Sequence, residues 1–277
     1  MMNNQQVVEV VLELYHQISR LESLKPSKDV NTLFTKLVTT CLADHQAPID
    51  VSKLCSDIQE MRSHLIRLCG EAEALLETHY SAHLTCLENP LQNLHIFPYF
   101  ENYIKLSHLE FTLLSQNLTN KSPTRLAFVG SGPMPLTSII LAMDHFPHAH
   151  FHNYDIDPIA NALASRLVGS HPGLSPRMFF HTSDIMDVTS GLEDYEVVFL
   201  AALVGMDDKE EKGCIIRHLS TYMAPGALLV IRSAHGARAF LYPVVDHSHL
   251  RGFQILTVHH PVDEVVNSVI VARKKIK

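Results

Sequence analysis

Two stretches of this chain pair residue types with spacings that can do chemistry. The first is Gly130-Ser131-Gly132-Pro133-Met134, which follows the apolar run Leu126–Val129 and leads into Pro135-Leu136-Thr137. Glycines in a strand-to-helix turn let the backbone pass close to a ligand and leave the helix N-terminus free to face it. Pro135 stands where a dinucleotide fingerprint would carry its third glycine, so a pyrophosphate is disfavoured. A nucleoside such as S-adenosylmethionine needs only the GxG turn. Downstream, His150–Tyr154 reads as the next strand and ends at Asp155, where a carboxylate can accept both ribose hydroxyls. Asp157 is placed to cap the helix opening at Pro158. Asp184 closes a third strand, where it can receive an adenine amino group or simply cap a loop. A fourth strand runs out through Ala201, Ala202, Leu203 and Val204, small and apolar enough for a ligand shelf. These four features, in chain order at strand carboxyl ends, point to an adenosine-type ligand.

The second stretch is Cys69-Gly70-Glu71-Ala72-Glu73-Ala74-Leu75-Leu76-Glu77-Thr78-His79-Tyr80. Glu73 and Glu77 are four apart and share a helix face, from which Glu71 lies away. A paired acidic face is ordinarily solvated, yet two like charges at this spacing repel, and these sit beside an apolar run. Phe97-Pro98-Tyr99-Phe100-Glu101-Asn102-Tyr103 is rich in aromatics, a pattern that by periodicity alone belongs to a core as readily as to a site.

The elements that must position these residues fall into two grammars. Up to residue 120 the only glycine is Gly70, and the apolar spacing is helical. It predicts a helix over about 4–24, a second capped by Ser27, and a long one from Val51 to about Leu84 with Asp50 as its cap after the turn at Ala47-Pro48. A further helical stretch is expected after Asn89-Pro90, bent near Pro98 and ending about Leu118. From residue 121 the other ten glycines appear and short apolar runs alternate with helical ones. Strands are expected at 125–129, 150–154, 177–181, 196–200, 227–231, 253–259 and 265–272, with helices at 136–144, 158–168 and 209–222. The fold class that follows is α/β: a helical N-terminal domain over 1–120, then an α/β domain over 121–277 whose mostly parallel sheet carries helices on both faces, its last two strands forming an antiparallel edge hairpin.

Composition narrows the classes further. The 277 residues carry 22 Lys and Arg against 29 Asp and Glu, a net charge of -7 that argues against coating nucleic acid. The basic cluster Arg273-Lys274-Lys275-Lys277 reads as a solvated tail. No run of apolar residues is long enough for a membrane span, and Met1–Gln6 lacks the regions of a secretory signal. Five scattered cysteines without a CxxC pair read as free thiols in a reducing, cytoplasmic setting. Nineteen histidines include His145, His148, His150 and His152, whose spacing offers no consistent metal geometry, so no protein-bound metal is expected. An Asn/Asp-Pro-Pro-aromatic segment, common after the fourth strand in methyltransferases acting on bases or protein amines, is absent.

The segments LCGEAEALLETHYSAHL, NLHIFPYFENYIKLSHLE, RLAFVGSGPMPLTS, YDIDPIAN, FLAALVGM and RSAHGARAFLYPVV closely resemble the plant nicotianamine synthase family, over nearly the whole chain. Against a plant member the chain is a little short after its last expected strand, where a variable tail would follow. The resemblance implies a helical N-terminal domain (1–120) over a Rossmann-like S-adenosylmethionine-binding domain of the methyltransferase type (121–277), and condensation of three S-adenosylmethionine molecules, used as substrate, by aminocarboxypropyl rather than methyl transfer. Three 5'-methylthioadenosines leave and one azetidine ring closes. The product chelates iron, copper, zinc and nickel, so the metals bind it and not the protein. The resemblance places the catalytic carboxylate in GEAEALLE, where Glu77 is the choice over the rival base Glu73, with Tyr103 of ENYIKL as its partner. Gly130, Ser131, Gly132, Pro133, Met134, Asp155, Asp184, Ala201 and Ala202 would bind the nucleoside substrate, with turn amides meeting the methionine carboxylate. His79, Tyr80, Tyr99 and Asn102 would line the chamber between the domains, and Arg232, His235 and Arg238 would meet product carboxylates. Arg232 equally fits a structural ion pair. The plant family's link to vesicles through Tyr-x-x-apolar and dileucine patterns has counterparts in Tyr103–Leu106 and Leu75-Leu76, for which packing is the better reading. Homo-oligomerisation is left open.

Overall fold

A computed structural model describes residues 3–43, 48–206 and 210–276. Ala47, Lys209 and Lys277, which belonged to the expected turn, helix start and basic tail, lie outside the described residues. Four helices come first: α1 (Asn4–Ile18), α2 (Lys28–Leu42), α3 (Ser56–Leu84) and α4 (Phe100–Asn117). Ser27 caps α2 as its sequence position predicts, its Oγ accepting from Val30 N.

Three boundaries differ from the periodicity. Helix α1 stops at Ile18, not near 24; Pro26 biases Lys25 out of the helical region, and Ser23 Oγ takes the Lys25 amide. Asp50 caps a 3₁₀ turn, Val51–Lys53, and α3 starts only at Ser56, with Gln59 Nε2 donating back to Leu54 O. The stretch after Asn89 is not one bent helix. It is a 3₁₀ segment, Pro90–Ile96, separated from α4 by Phe97, which Pro98 holds extended.

Seven strands follow: β1 (Arg125–Val129), β2 (His150–Asp155), β3 (Met178–Thr182), β4 (Val197–Leu200), β5 (Leu228–Ser233), β6 (Phe253–His259) and β7 (Ser268–Lys274). They form one sheet in the order β3-β2-β1-β4-β5-β7-β6. β1 to β5 are parallel, whereas β7 runs antiparallel between β5 and β6. The hairpin therefore lies at the edge, but its second strand is the inner one. Between the strands lie α5 (Leu136–Ile140), α6 (Pro158–Gly169) and α7 (Glu211–Tyr222). The helix expected over 136–144 is α5 running into a π-helical turn, Leu141–His145.

Alternation along the strands feeds two cores. Leu126, Phe128, Phe151 and Phe199 face Leu106, Leu114, Leu136 and Leu167, so α4, α5 and α6 cover one side. Ala127, Val129, Val198 and Leu229 face Ile215, Ile216 and Leu219 of α7 on the other. A third core joins α1, α2 and α3 to Ala237, Phe240, Leu241 and Val266 from the second half of the chain. Helix α4 thus belongs to the sheet's core, while α3 runs past it and serves both. The chain reverses direction across the sheet between β1 and β4, the place where open parallel sheets leave a crevice at strand carboxyl ends.

Candidate active site

A cavity of about 580 Å³ opens at that crevice, between the Gly130–Met134 turn and α3. Gly130 and Gly132 have φ of 78° and 64°, the left-handed region open to glycine at little cost. A Cβ on Gly130 would lie 2.2 Å from Val204 Cγ2, and one on Gly132 would lie 2.9 Å from Glu77 Oε2. Its two glycines have no room for a Cβ because the β4 exit presses on Gly130 and the acidic helix on Gly132.

Glu77 is 7% exposed, and its Oε1 accepts from Tyr103 Oη at 2.8 Å. Burial, reinforced by the neighbouring Glu73, pushes its carboxyl up to about 8. Glu73, one turn earlier on α3, accepts at Oε2 from Tyr242 Oη at 2.7 Å. Its Oε1 stands 3.5 Å from Tyr103 Oη, too far to compete with Glu77 for that proton. Burial raises Glu73 as well, against the hydrogen bond from Tyr242 and the charge of Arg232. The same acids and burial hold both tyrosine hydroxyls well above their ordinary range, so they remain donors.

Arg232 lies behind this cluster, its guanidinium 5.9 Å from the Tyr103 ring centroid. Its Nε and Nη2 meet Glu110 Oε1 and Oε2 at 2.8 and 3.0 Å, and Nη2 also donates to Thr137 Oγ1. Burial works against this charge, but the attraction and hydrogen bonds of Glu110 outweigh it and hold Arg232 above its usual value.

At the end of β2, Asp155 Oδ2 accepts from Gly132 N at 2.8 Å and Oδ1 from Asp157 N at 3.0 Å. That fixes the carboxylate at the cavity wall. Asp157 caps α6 as its position predicts, accepting from Ile159 N. Asp184 caps a 3₁₀ turn through Met186 N, as its loop-cap reading expects, and also lines the cavity. Ser131 Oγ is buried in the cavity wall without a protein partner, which leaves it for a bound molecule.

The model of the family described as nicotianamine synthase protein matches residues 1–277. The chain belongs to the nicotianamine synthase family. Nicotianamine synthase of Solanum lycopersicum is 64% identical over 272 residues, covering 98% of this chain and 84% of the relative. Nicotianamine synthase 1 of Arabidopsis thaliana is 59% identical over 274 residues, covering 98% and 85%. Among solved structures, MtNAS in complex with MTA and tNA has a TM-score of 0.78 at 19% identity, over 98% of this chain and 97% of that one. That likeness establishes the α/β, Rossmann-like fold.

Within this member of the nicotianamine synthase family, the cavity brings together most of the residues singled out from sequence and excludes some. Gly130 to Met134, Asp155, Asp184, Ala201, Ala202, Glu73, Glu77, Tyr99, Asn102, Tyr103 and Arg232 all line it. His79 and Tyr80 do not. Successive α3 residues turn by about 100°, which sends His79 to the face opposite Glu77. Tyr80 packs edge-on against Phe97 at 5.5 Å. His235 is exposed and stacks on His260 with ring centroids 3.9 Å apart, away from the cavity. Arg238 donates to Asp263 O instead of lining it. Of the two readings of Arg232, the ion pair is realised, because Glu110 fills the fork that would have met a product carboxylate.

The turn amides also differ from expectation. Gly130 N and Ser131 N both donate to Tyr154 O, and Gly132 N is taken by Asp155, so these three do not face a methionine carboxylate. Tyr103 and Leu106 are packed into the core around the site, and Leu76 is packed likewise. Among the described residues no helix is long and apolar enough to cross a membrane. The histidines at 145 and 152 serve aromatic packing: His145 stacks on Phe111, and His152 on His181 with Nδ1 3.0 Å from Nε2.

Four residues at the site went unread in the sequence: Tyr242, Glu110, Thr137 and Lys212. Lys212 is buried beneath the shelf, where its Nζ donates to Ala201 O at 2.9 Å and to Ala202 O, fixing the β4 exit that presses on Gly130. Glu110 left one signal, an acid four residues after Leu106 on the apolar stripe that Leu113 and Leu114 continue.

Proposed function

We propose that this cavity carries out the nicotianamine synthase reaction with Glu77 as the proton acceptor. The chain condenses three S-adenosylmethionine molecules into nicotianamine by aminocarboxypropyl transfer and releases three 5'-methylthioadenosines. The observation that carries the residue assignment is the position of Glu77. Its carboxylate meets Tyr103 at one oxygen and the Gly132 turn at the other, with its proton affinity raised into the range of an amine.

The chemistry uses that position directly. The acceptor nitrogen arrives as an ammonium and passes a proton to Glu77. Its freed lone pair forms a bond to the γ-carbon of a second substrate molecule. The bond from that carbon to sulfur breaks with its electron pair going to sulfur, and the sulfonium leaves as a neutral thioether. A base buried to about 8 and an ammonium are close enough in proton affinity for the transfer to cost little. Tyr103 holds the accepting carboxylate in place, and Arg232, pinned behind it, limits how far the paired acids can rise. Asp155 is the residue we place against the ribose, Ser131 Oγ against the nucleoside substrate, and Tyr99 and Asn102 in the acceptor wall. We take residues 1–120 and 121–277 as the two domains on either side, with α4 of the first packed on the sheet of the second, and the released product is the chelator of iron, copper, zinc and nickel.

Incubation with S-adenosylmethionine alone, followed by mass analysis, tests the reading: methylthioadenosine and nicotianamine are expected. Formation of S-adenosylhomocysteine would instead identify a methyltransferase on the same fold. Asp155→Ala is expected to weaken S-adenosylmethionine binding by roughly ten- to a hundredfold, the value of one or two lost hydrogen bonds to a charged group. Calorimetry checks this, and unchanged affinity would move the ribose contact to another residue.

A further inference from the structure

The chamber holds two carboxylate–tyrosine pairs, and one base accounts for only one of them. Glu77–Tyr103 is anchored in the sheet's core and touches the Gly132 turn. Glu73–Tyr242 is anchored in the helical core, where Tyr242 packs with the α1–α3 cluster. Tyr242 comes from the loop after β5, and its hydroxyl reaches Glu73 at 2.7 Å without touching Glu77. Both pairs line the same cavity, which continues past Glu73 to Val30, Phe34 and Val38 on α2. Burial of a second acid so close to the first has an electrostatic cost, which a cation from the substrate would relieve.

The spacing of the pairs matches the repeat of the product. Glu73 and Glu77 are one helical turn apart, about 6 Å along the axis of α3. Successive nitrogens in an aminocarboxypropyl chain are separated by four bonds of about 1.5 Å, or about 5 Å end to end when extended. Building on the reaction given above, we propose that Glu73, positioned by Tyr242, holds the ammonium one aminocarboxypropyl unit away from the nitrogen reacting at Glu77. The second pair is then a retention site. It keeps a chain carrying one or two transferred groups in the chamber while methylthioadenosine leaves and the next donor enters. Glu73 contacts the substrate ammonium; Tyr242 is a positioning residue that fixes the carboxylate toward it.

The test incubates the full chain and its Tyr242→Phe, Glu73→Gln and Glu77→Gln variants with S-adenosylmethionine and quantifies every aminocarboxypropyl-containing product. The unaltered chain should release three methylthioadenosines per nicotianamine. Tyr242→Phe and Glu73→Gln should continue to turn over, yet release at least about twice that ratio as incomplete chains escape into solution. A ratio held at three in either folded variant, at any rate of turnover, overturns the proposal. So does complete loss of transfer in Glu73→Gln, which would place that acid in the chemical step itself. Should Tyr242→Phe fail to fold, Glu73→Gln decides alone. Glu77→Gln keeps the two readings apart. An inert Glu77→Gln with an unchanged ratio in Glu73→Gln removes only the retention site, whereas an active Glu77→Gln removes the base assignment on which it rests.

Discussion

Glu77→Gln is expected to slow aminocarboxypropyl transfer by between about a hundred- and ten-thousandfold while leaving S-adenosylmethionine affinity within a few-fold. The amide keeps the volume of the side chain and can still accept the Tyr103 hydrogen bond, so the chamber wall is preserved. What it loses is the capacity to take a proton. The pH profile makes the expectation specific. A general base works only when ionised, and burial together with Glu73 raises Glu77 to about 8. In the unaltered chain kcat/KM should therefore climb as pH rises toward 8 and level off above it. An ordinary glutamate would have finished that climb near pH 5. In Glu77→Gln the limb should vanish along with the rate. Single-turnover assays across pH 5–9 check both, and a limb that persists unchanged in the variant would assign the proton to another group.

The sequence showed the glycine-turn half of this site more clearly than the acidic half, for reasons that differ residue by residue. Gly130, Gly132, Asp155 and Asp157 sit at places where local rules act: a positive φ, a strand end, a helix cap. Those rules are short-range, so one sequence suffices to read them. Glu77 and Tyr103 were assigned through the family resemblance, because an i, i+4 acidic pair on a helix is ordinarily solvated. Only packing shows that this pair faces inward.

Tyr242 and Glu110 act through contacts 169 and 122 residues away in the chain, and no local pattern encodes such separations. His79 and Tyr80 show the converse error. They adjoin Glu77 in sequence, but helical rotation turns His79 to the opposite face, and Tyr80, on the near face, is taken up by packing against Phe97. Boundaries failed where capping and proline competed with apolar spacing, as at Ile18 and at Asp50, where Leu21 and Leu54 continued the pattern beyond the helix that carried it. Beyond the edge hairpin the order of strands was not read, although it is what places the β1 and β4 exits side by side over α3.

Glu110→Ala is the substitution expected to damage the fold most. Glu110 is fully buried, and its two oxygens match the fork of an Arg232 that is itself 6% exposed. Removing the acid leaves a buried guanidinium with Thr137 as its remaining side-chain partner among the hydrogen bonds described, a loss of about 3–5 kcal/mol. For a chain of this size that corresponds to a fall in Tm on the order of 10 °C, measurable by thermal denaturation. Replacing both partners separates stability from function. Glu110→Leu combined with Arg232→Met removes the charge together with its counter-charge, and apolar packing of similar volume should restore most of the lost stability. It should not restore the site. Arg232 is one of the groups that lower Glu77 and Glu73, so without it both acids bind their protons more tightly. The acid limb of kcat/KM should then move to higher pH in a protein that melts close to normally. A double variant as unstable as Glu110→Ala would show that the pair is held for its geometry. A stable one with an unmoved limb would show that its charge does not reach the carboxylates.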